Sequence, residues 1–225
     1  MSETALVPVI AIDGPSASGK GTVAARVAQA LGFHYLDSGA LYRVTALAAQ
    51  NASVLWDDEY RLGDLARTLA VEFIGEQILL HGSNVSEAIR TEWIGQGASK
   101  VAALPAVRQG LLARQRDFRL APGLVADGRD MGSVVFPDAG LKIFLTASVE
   151  ERASRRYKQL IAKGFEAKMP AILQDLKDRD ARDAARAVAP LQKFDDALLL
   201  DTSAMGIDEA VAFVLRHAAD RGLRP

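Results

Sequence analysis

Residues 7–22 read Val-Pro-Val-Ile-Ala-Ile-Asp-Gly-Pro-Ser-Ala-Ser-Gly-Lys-Gly-Thr, and this stretch decides the fold. The apolar run Val7–Ile12 ends at Asp13-Gly14, as expected of a strand that is buried on both faces of a parallel sheet. The following residues fit the pattern G-x-x-x-x-G-K, and Val23, Val27 and Leu31 then recur at helical spacing. The stretch therefore predicts a strand, a glycine-rich loop and an amphipathic helix in direct succession.

The loop has the composition of a phosphate-binding loop. Its glycines allow successive backbone N–H groups to point at phosphate oxygens, and the N-terminus of the helix adds the positive end of its dipole. Position 21 is Gly where the general pattern has Ser or Thr, and the hydroxyl follows at Thr22. The alternative is a glycine-rich turn without a ligand, which the combination of strand, spacing and lysine disfavours. We predict that a nucleoside triphosphate is bound by Gly14, Pro15, Ser16, Ala17, Ser18, Gly19, Lys20, Gly21 and Thr22, with Lys20 bridging its β- and γ-phosphates.

Strand and helix patterns alternate along the rest of the chain, which predicts an α/β fold with a doubly wound sheet. The further predicted strands are 33–36, 124–126, 141–145 and 197–200, which makes five with the first. Helical spacing recurs at Leu62, Leu65 and Leu69 and again from Ile207 to Ala218.

The interval between Leu36 and Leu124 is too long for one crossover connection. Within it, residues 71–74 and 78–80 flank Gly75-Glu76-Gln77 in the manner of a hairpin. We therefore predict one domain over residues 1–225 that carries an inserted substrate-binding subdomain at about 63–107.

Composition excludes several classes of protein. Hydrophobic residues make up 49% and charged residues 24% of the chain, which is typical of a globular protein and not of a disordered or fibrous one. With 27 basic and 28 acidic residues the net charge is −1, so no global field favours nucleic acid. The chain has no cysteine, and its apolar run Leu6–Ile12 is too short for a membrane span or a signal. We expect a cytoplasmic protein that binds neither nucleic acid nor membrane.

Four motifs together resemble those of bacterial cytidylate kinase, a nucleoside monophosphate kinase with the P-loop kinase fold. They are GKGT at 19–22, LDSGALYR at 36–43, ADGRDMGSVVFPDA at 126–139 and RAVAPL at 186–191, and they span nearly the whole chain. The resemblance implies a five-stranded parallel sheet flanked by helices, an inserted monophosphate-binding subdomain and a mobile lid. It also implies ATP and CMP or dCMP as substrates, with Mg²⁺ as cofactor.

Between the second and third predicted strands the resemblance implies four residues that contact CMP. Ser38 would contact the cytosine ring, although Ser at this position could equally cap the helix that begins near Ala40. Arg43 would bind the acceptor phosphate. Ser99 would contact the base and Arg108 the base region, although by sequence alone both are ordinary surface residues on either side of Pro105, which suits the first turn of a helix.

Beyond the insertion, the resemblance implies that Arg129 binds phosphate and that Asp130 accepts from the cytosine amino group. The alternative is a salt bridge between Arg129 and its flanking carboxylates. Arg179 and Asp183 would contact the ribose region and Arg186 the base or the phosphate. The spacing of these three residues places them on one helix face with Arg182, and by sequence alone a solvated, self-paired face is favoured.

Phosphoryl transfer to a monophosphate needs charge neutralisation and positioning, and no general base. We predict that Lys20, Arg129 and Arg155 are catalytic, with Arg155 lying in a basic lid at about 152–168 that also holds Arg152, Arg156 and Lys158. Mg²⁺ would bridge the β- and γ-phosphates near Thr22, directly or through water. We expect a monomer.

Two other functions fit the same loop. One is a kinase of another small acceptor, such as UMP or a shikimate-like metabolite. The other is a nucleotide-dependent switch, which is disfavoured because the sequence contains no Asn-Lys-x-Asp guanine signature. His34, His81 and His217 are isolated and show no metal-ligand spacing.

Overall fold

The computed structural model describes residues 6–75, 77–162 and 164–224. It divides into two compact units. One unit comprises the residues up to Leu36 and those from Asp117 onward, and the other comprises Asp37–Arg116.

The first unit is built on a five-stranded sheet. Its strands are β1 (Val9–Asp13), β2 (His34–Asp37), β6 (Leu124–Gly128), β7 (Leu141–Thr146) and β8 (Leu198–Asp201). Their order across the sheet is β2-β6-β1-β7-β8, and the pairs that join β1, β6, β7 and β8 are parallel. The predicted five-stranded α/β sheet is therefore confirmed. Each strand ends one or more residues later than its apolar run, so that Asp13, Gly128, Thr146 and Asp201 are the last residues of their strands.

Helices α1 (Lys20–Leu31) and α8 (Ile207–Asp220) pack on this sheet through their apolar stripes. Helices α6 (Val149–Ala162) and α7 (Met169–Ala184) pack against each other. Val23 and Val27 of α1 and Val211 and Val214 of α8 join the core formed by β1, β6, β7 and β8. A short π-helical turn, Met131–Val135, follows β6.

The second unit is mainly helical. It contains α2 (Ser38–Asn51), α3 (Glu59–Arg67), α4 (Glu92–Val101) and α5 (Pro105–Arg116). Helices α3 and α5 approach closely at Gly63, where an added Cβ would lie 2.8 Å from the Cβ of Ala106. Leu69 lies beyond the end of α3, although its spacing suggested that it belonged to the helix.

A small sheet completes the second unit. Strands β3 (Val71–Ile74) and β4 (Gln77–Leu80) pair antiparallel, which confirms the predicted hairpin, and Glu76 of its turn lies outside the described residues. A short third strand, β5 (Ser83–Asn84), was not predicted.

The start of the glycine-rich loop is fixed by its contact with the neighbouring strand. A Cβ added at Gly14 would lie 1.9 Å from the carbonyl oxygen of Leu145. We expect Gly14→Ala to lower the free energy of unfolding by at least about 3 kcal/mol, because backbone must move to relieve the overlap. Gly32→Ala is the matched control: Gly32 has a φ of 64° and no atom within 4 Å of an added Cβ, so only the left-handed backbone is strained. Gly32→Ala should lower the free energy of unfolding by about 1 kcal/mol. Urea unfolding measures both losses, and an equal loss in the two variants would contradict a destabilising overlap at position 14.

Candidate active site

The glycine-rich loop connects β1 to α1 in a conformation suited to binding an anion. Ala17 and Gly19 have positive φ angles of 58° and 92°, so the chain curls before α1 begins at Lys20. Lys20 is buried, and its Nζ donates to the carbonyl oxygen of Pro15 at 3.4 Å. Backbone N–H groups at the start of a helix have no intrahelical acceptor, and a lysine beside them completes an anion site.

Two arginines of α6 fix the orientation of this loop. Arg152 Nη1 donates to the carbonyl oxygen of Ser16 at 3.1 Å, and Arg155 Nη1 donates to that of Ser18 at 3.0 Å. In a planar trans peptide the C=O and the following N–H point in opposite directions. Because the arginines bind these carbonyl oxygens, the N–H groups of Ala17 and Gly19 must point away from α6 and stay available to an anion.

Both arginines have further partners. Arg152 also donates to both carboxylate oxygens of Asp180, at 3.1 and 2.5 Å. Arg155 also donates to the carbonyl oxygen of Thr202 at 2.6 Å. In this conformation the guanidinium of Arg155 therefore supports the loop, and its catalytic role stays a prediction.

The glycine at position 21 has a steric cause. A Cβ on Gly21 would lie 3.2 Å from Oδ2 of Asp127 and 3.5 Å from the hydroxyl of Tyr35. These two groups are hydrogen-bonded, with the Tyr35 hydroxyl donating to Asp127 at 2.6 Å. The pair leaves little room for Ser or Thr at this position, which explains the departure from the general pattern.

Arg129 joins the end of β6 to the loop and to α7. Its Nη2 donates to Ser16 Oγ at 2.7 Å, its Nε to Asp183 Oδ2 at 2.8 Å and its Nη1 to the carbonyl oxygen of Gly128 at 3.1 Å. Burial works to lower the pKa of Arg129, but nearby carboxylates, Asp183 foremost, raise it overall. The ion-pair partner is thus Asp183, whereas the sequence suggested the flanking carboxylates.

The predicted residues of α7 are largely buried, so the solvated face favoured by sequence alone is wrong. Asp183 is 3% and Arg186 9% exposed. Arg186 lies beyond the end of α7 and not on its face, yet its Nη2 donates to Asp183 Oδ1. Although burial opposes it, Arg129 and Arg186 hold the pKa of Asp183 below its usual range.

Like charges also accumulate here. The pKa of Arg179 is lowered mainly by burial and next by the nearby charge of Arg129. The pKa of Arg156 is lowered mainly by burial and next by the charge of Arg179. Such mutual repulsion is relieved when an anion binds among the arginines. The carboxyl edge of this sheet therefore combines an anion-binding loop with a second group of cations.

Sequence reasoning missed Asp13. Its Oδ1 accepts from the N–H of Met131 at 2.8 Å and its Oδ2 from that of Gly132 at 2.9 Å. Burial raises the pKa of Asp13 to about 7; these N–H groups and Arg129 oppose the rise, and the Asp130 carboxylate adds to it. Its position as the last residue of a buried strand was the available signal.

The second unit holds the other predicted acceptor residues. Ser38 is buried at the first position of α2, but the cap of that helix is Asp37, whose Oδ1 accepts from the N–H of Ala40 at 3.0 Å. Capping by Ser38 is therefore wrong. Arg43 Nη1 donates to the carbonyl oxygen of Ile89 at 2.9 Å, and Gly95 of α4 allows close approach, since an added Cβ would lie 3.3 Å from that nitrogen.

Ser99 and Arg108 are buried, at 7% and 8% exposure, and are not the surface residues that the sequence suggested. Arg108 Nη1 donates to the carbonyl oxygen of Ala102 at 3.1 Å, and its guanidinium lies 5.8 Å from the centre of the Tyr42 ring. Pro105 begins α5 as predicted.

The residues around the loop fit a magnesium ion that is held mainly by substrate. Among residues 6–75, 77–162 and 164–224, no group of three or more His, Cys, Asp or Glu side chains could hold a metal. Mg²⁺ in phosphoryl-transfer sites usually takes one or two protein oxygens, with phosphates and waters. The exposed Thr22, in the first turn of α1, can supply one such oxygen.

None of the helices within the described ranges has the length and apolarity needed to cross a membrane.

Comparisons with known proteins show the family of this chain. The sequence model of a family described as cytidylate kinase matches residues 10–220. A cytidylate kinase of Chromobacterium violaceum is 66% identical over 209 residues, which cover 93% of this chain and 94% of that protein. Cytidylate kinases of Pseudomonas aeruginosa and Nitrosomonas europaea are 57% and 56% identical, over 96% and 95% of this chain and 97% and 96% of their own lengths. The chain therefore belongs to the cytidylate kinase family.

Proposed function

We propose that this protein transfers the γ-phosphoryl group of ATP to CMP and dCMP, forming ADP and the corresponding diphosphate. The observation that carries the proposal is the hydrogen bond from Arg129 to Ser16 Oγ, 2.7 Å long. It joins a residue proposed to bind the acceptor phosphate to the loop proposed to bind the phosphates of ATP. Such an arrangement suits direct transfer between two bound phosphates.

The chain's own contribution to the reaction is positioning and charge neutralisation. Lys20 and the backbone N–H groups of the loop hold the phosphates of ATP, and Arg129 and Arg155 offset the charge that develops on the transferred group. When bound, Mg²⁺ would be held by the phosphates and by Thr22, directly or through water, and would supply further neutralisation. A monophosphate is already an anion, so no carboxylate is assigned as a general base.

We assign acceptor recognition to the residues that the family resemblance implies. Arg43 and Arg129 bind the phosphate of CMP, and Asp130 accepts from the cytosine amino group. The remaining proposed contacts to the base and ribose are Ser38, Ser99, Arg108, Arg179, Asp183 and Arg186.

Three parts of this proposal concern organisation. The insertion at about 63–107 serves as the monophosphate-binding subdomain of a single domain spanning 1–225. The segment at about 152–168, of which Lys163 lies outside the described residues, closes over ATP as a lid. The protein acts as a cytoplasmic monomer without nucleic acid or membrane partners.

A panel of acceptors tests the function directly. ADP release from ATP should be fastest with CMP and dCMP and much slower with UMP, AMP and shikimate. A coupled assay with each acceptor at equal concentration measures this, and release without any acceptor gives the background of hydrolysis. Preference for shikimate or UMP, or release that needs no acceptor, would contradict the proposed reaction.

We expect Lys20→Met to lower kcat by at least about a hundredfold, because loss of one charged donor to the transferring group typically has that effect. The core around β1 and α1 does not depend on the ammonium group, so the melting temperature should change little. Lys177→Met, at an exposed position of α7, is the control and should keep full activity. Normal turnover in folded Lys20→Met would remove this lysine from the mechanism.

We expect Asp130→Asn to lower kcat/KM for CMP and to narrow its advantage over UMP. A carboxylate favours the amino donor of cytosine over the carbonyl of uracil, whereas an amide can rotate to donate to that carbonyl. One such contact corresponds to about ten- to a hundredfold in specificity. ATP affinity should stay constant.

The control for this variant is Asp138→Asn, because Asp138 is paired with Arg119 at 2.7 Å, and its side chain is half exposed. It should leave the CMP to UMP ratio unchanged. If Asp130→Asn reduces both activities in the same proportion, Asp130 only supports Arg129 and does not read the base.

A further inference from the structure

Asp13 fixes both ends of the dipeptide Arg129-Asp130. Its backbone pairs in parallel register with Gly128, the residue before the dipeptide. Its carboxylate accepts from the N–H groups of Met131 and Gly132, the two residues after it, at 2.8 and 2.9 Å. The dipeptide is thus a two-residue span whose start and end are both held by one residue of β1.

The backbone at Gly132 also packs closely against side chains of β7 and β1. A Cβ on Gly132 would lie 3.2 Å from Cγ and Cδ of Lys142 and 3.4 Å from the Cβ of Ala11. The Nζ of Lys142 donates to Asp196 at 2.5 Å, which holds the lysine stem in place. The backbone at Gly132 is therefore held by close packing as well as by its hydrogen bond to Asp13.

The space beside the Asp13 side chain, on the side of Gly132 and Lys142, is small. The cavity beside its side chain has a volume of about 10 Å³ and is also lined by Gly132, Lys142 and Asp196. That volume admits about one water molecule. The polar contacts that the structure gives the Asp13 carboxylate are to the backbone of Met131 and Gly132.

We propose that Asp13 is a positioning residue for the acceptor, holding the backbone at Met131 and Gly132 so that Arg129 and Asp130 keep the orientation that CMP requires. The inference rests on the proposed function, in which Arg129 and Asp130 contact CMP. Asp13 holds this backbone in its ionised form, because both oxygens of the carboxylate accept an N–H.

The surroundings of Asp13 make this role sensitive to pH. Burial raises its pKa to about 7, with Asp130 adding to the rise and Arg129 opposing it. Lys142 and Asp196, which pair with each other, are the charged groups on the cavity side. As pH falls through about 7, Asp13 gains a proton and one of its two oxygens becomes a hydroxyl that no longer accepts equally well. The value of kcat/KM for CMP should then fall.

Steady-state kinetics of the wild type, Asp13→Asn and Gly132→Ala between pH 6 and 8.5 test the proposal. Asp13→Asn should raise KM for CMP about tenfold, as loss of one hydrogen bond to a charged group would. Its KM for ATP should change less than about twofold. The methyl group added by Gly132→Ala would lie too close to the side chain of Lys142. This variant should therefore also raise KM for CMP, by a smaller factor.

The pH profile separates positioning from mere support of the fold. In the wild type, log(kcat/KM) for CMP should bend near pH 7, and this bend should be absent from Asp13→Asn. A second bend near about pH 6 comes from the phosphate of the substrate and should remain in both.

Asp201→Asn is the matched control, because Asp201 also ends a strand of this sheet and accepts from the N–H of Ser203 at 2.8 Å. It should leave both KM values and the pH profile unchanged. Equal rises in KM for CMP and ATP, survival of the bend near pH 7 in Asp13→Asn, or failure of both test variants to fold would overturn the positioning role. Absence of CMP phosphorylation in the wild type would instead contradict the proposed function, and the positioning role with it.

Discussion

The guanidinium of Arg129 joins three separate parts of the chain at the carboxyl edge of the sheet. A charge that is mostly buried is costly unless it is paired and hydrogen-bonded, and the Arg129 side chain is only 19% exposed. Asp183 of α7, Ser16 of the loop and the carbonyl of Gly128 meet that need. Removal of Asp183 would leave two arginines, 129 and 186, without this carboxylate. The positions of α7, the loop and the end of β6 are therefore linked through one side chain.

The phosphate-binding loop depends on cations in a second way. Arg152 and Arg155 of α6 bind its outward carbonyl oxygens, so the following N–H groups are oriented before any phosphate arrives. Preorganised donors stabilise developing charge without having to reorient during the reaction. A loop of glycines and serines without these contacts would have many more conformations to lose on binding. Basic residues near a phosphate site can thus serve the backbone as much as the ligand.

Part of the candidate site could be located from the sequence, because parallel strands bring their carboxyl ends to one edge. Arg129 and Asp130 lie just beyond the end of such a strand, whereas Lys20 was predicted from the pattern G-x-x-x-x-G-K. The roles of Arg129 and Asp130 toward CMP rest on the family resemblance. The burial of Ser99 and Arg108 could not be predicted, because a polar residue on a helix has no local signal that tells a buried face from an exposed one. The pairing of Arg129 with Asp183 spans 54 positions of sequence, and the spacing of charges gave no indication of it.

The sequence by itself determined the five strands, the phosphate-binding loop and the family, because local patterns of apolar residues, glycines and one lysine carry that information. Only the tertiary structure decided which charges meet. It assigned Asp183 to Arg129, Asp37 and not Ser38 to the cap of α2, and Asp13 to the backbone beyond Asp130. It also explained Gly21 by the hydrogen-bonded Tyr35 and Asp127 beside it. The physical reason is that hydrogen bonds and ion pairs of buried groups are chosen by proximity in space, and proximity between distant segments exists only after the sheet has formed.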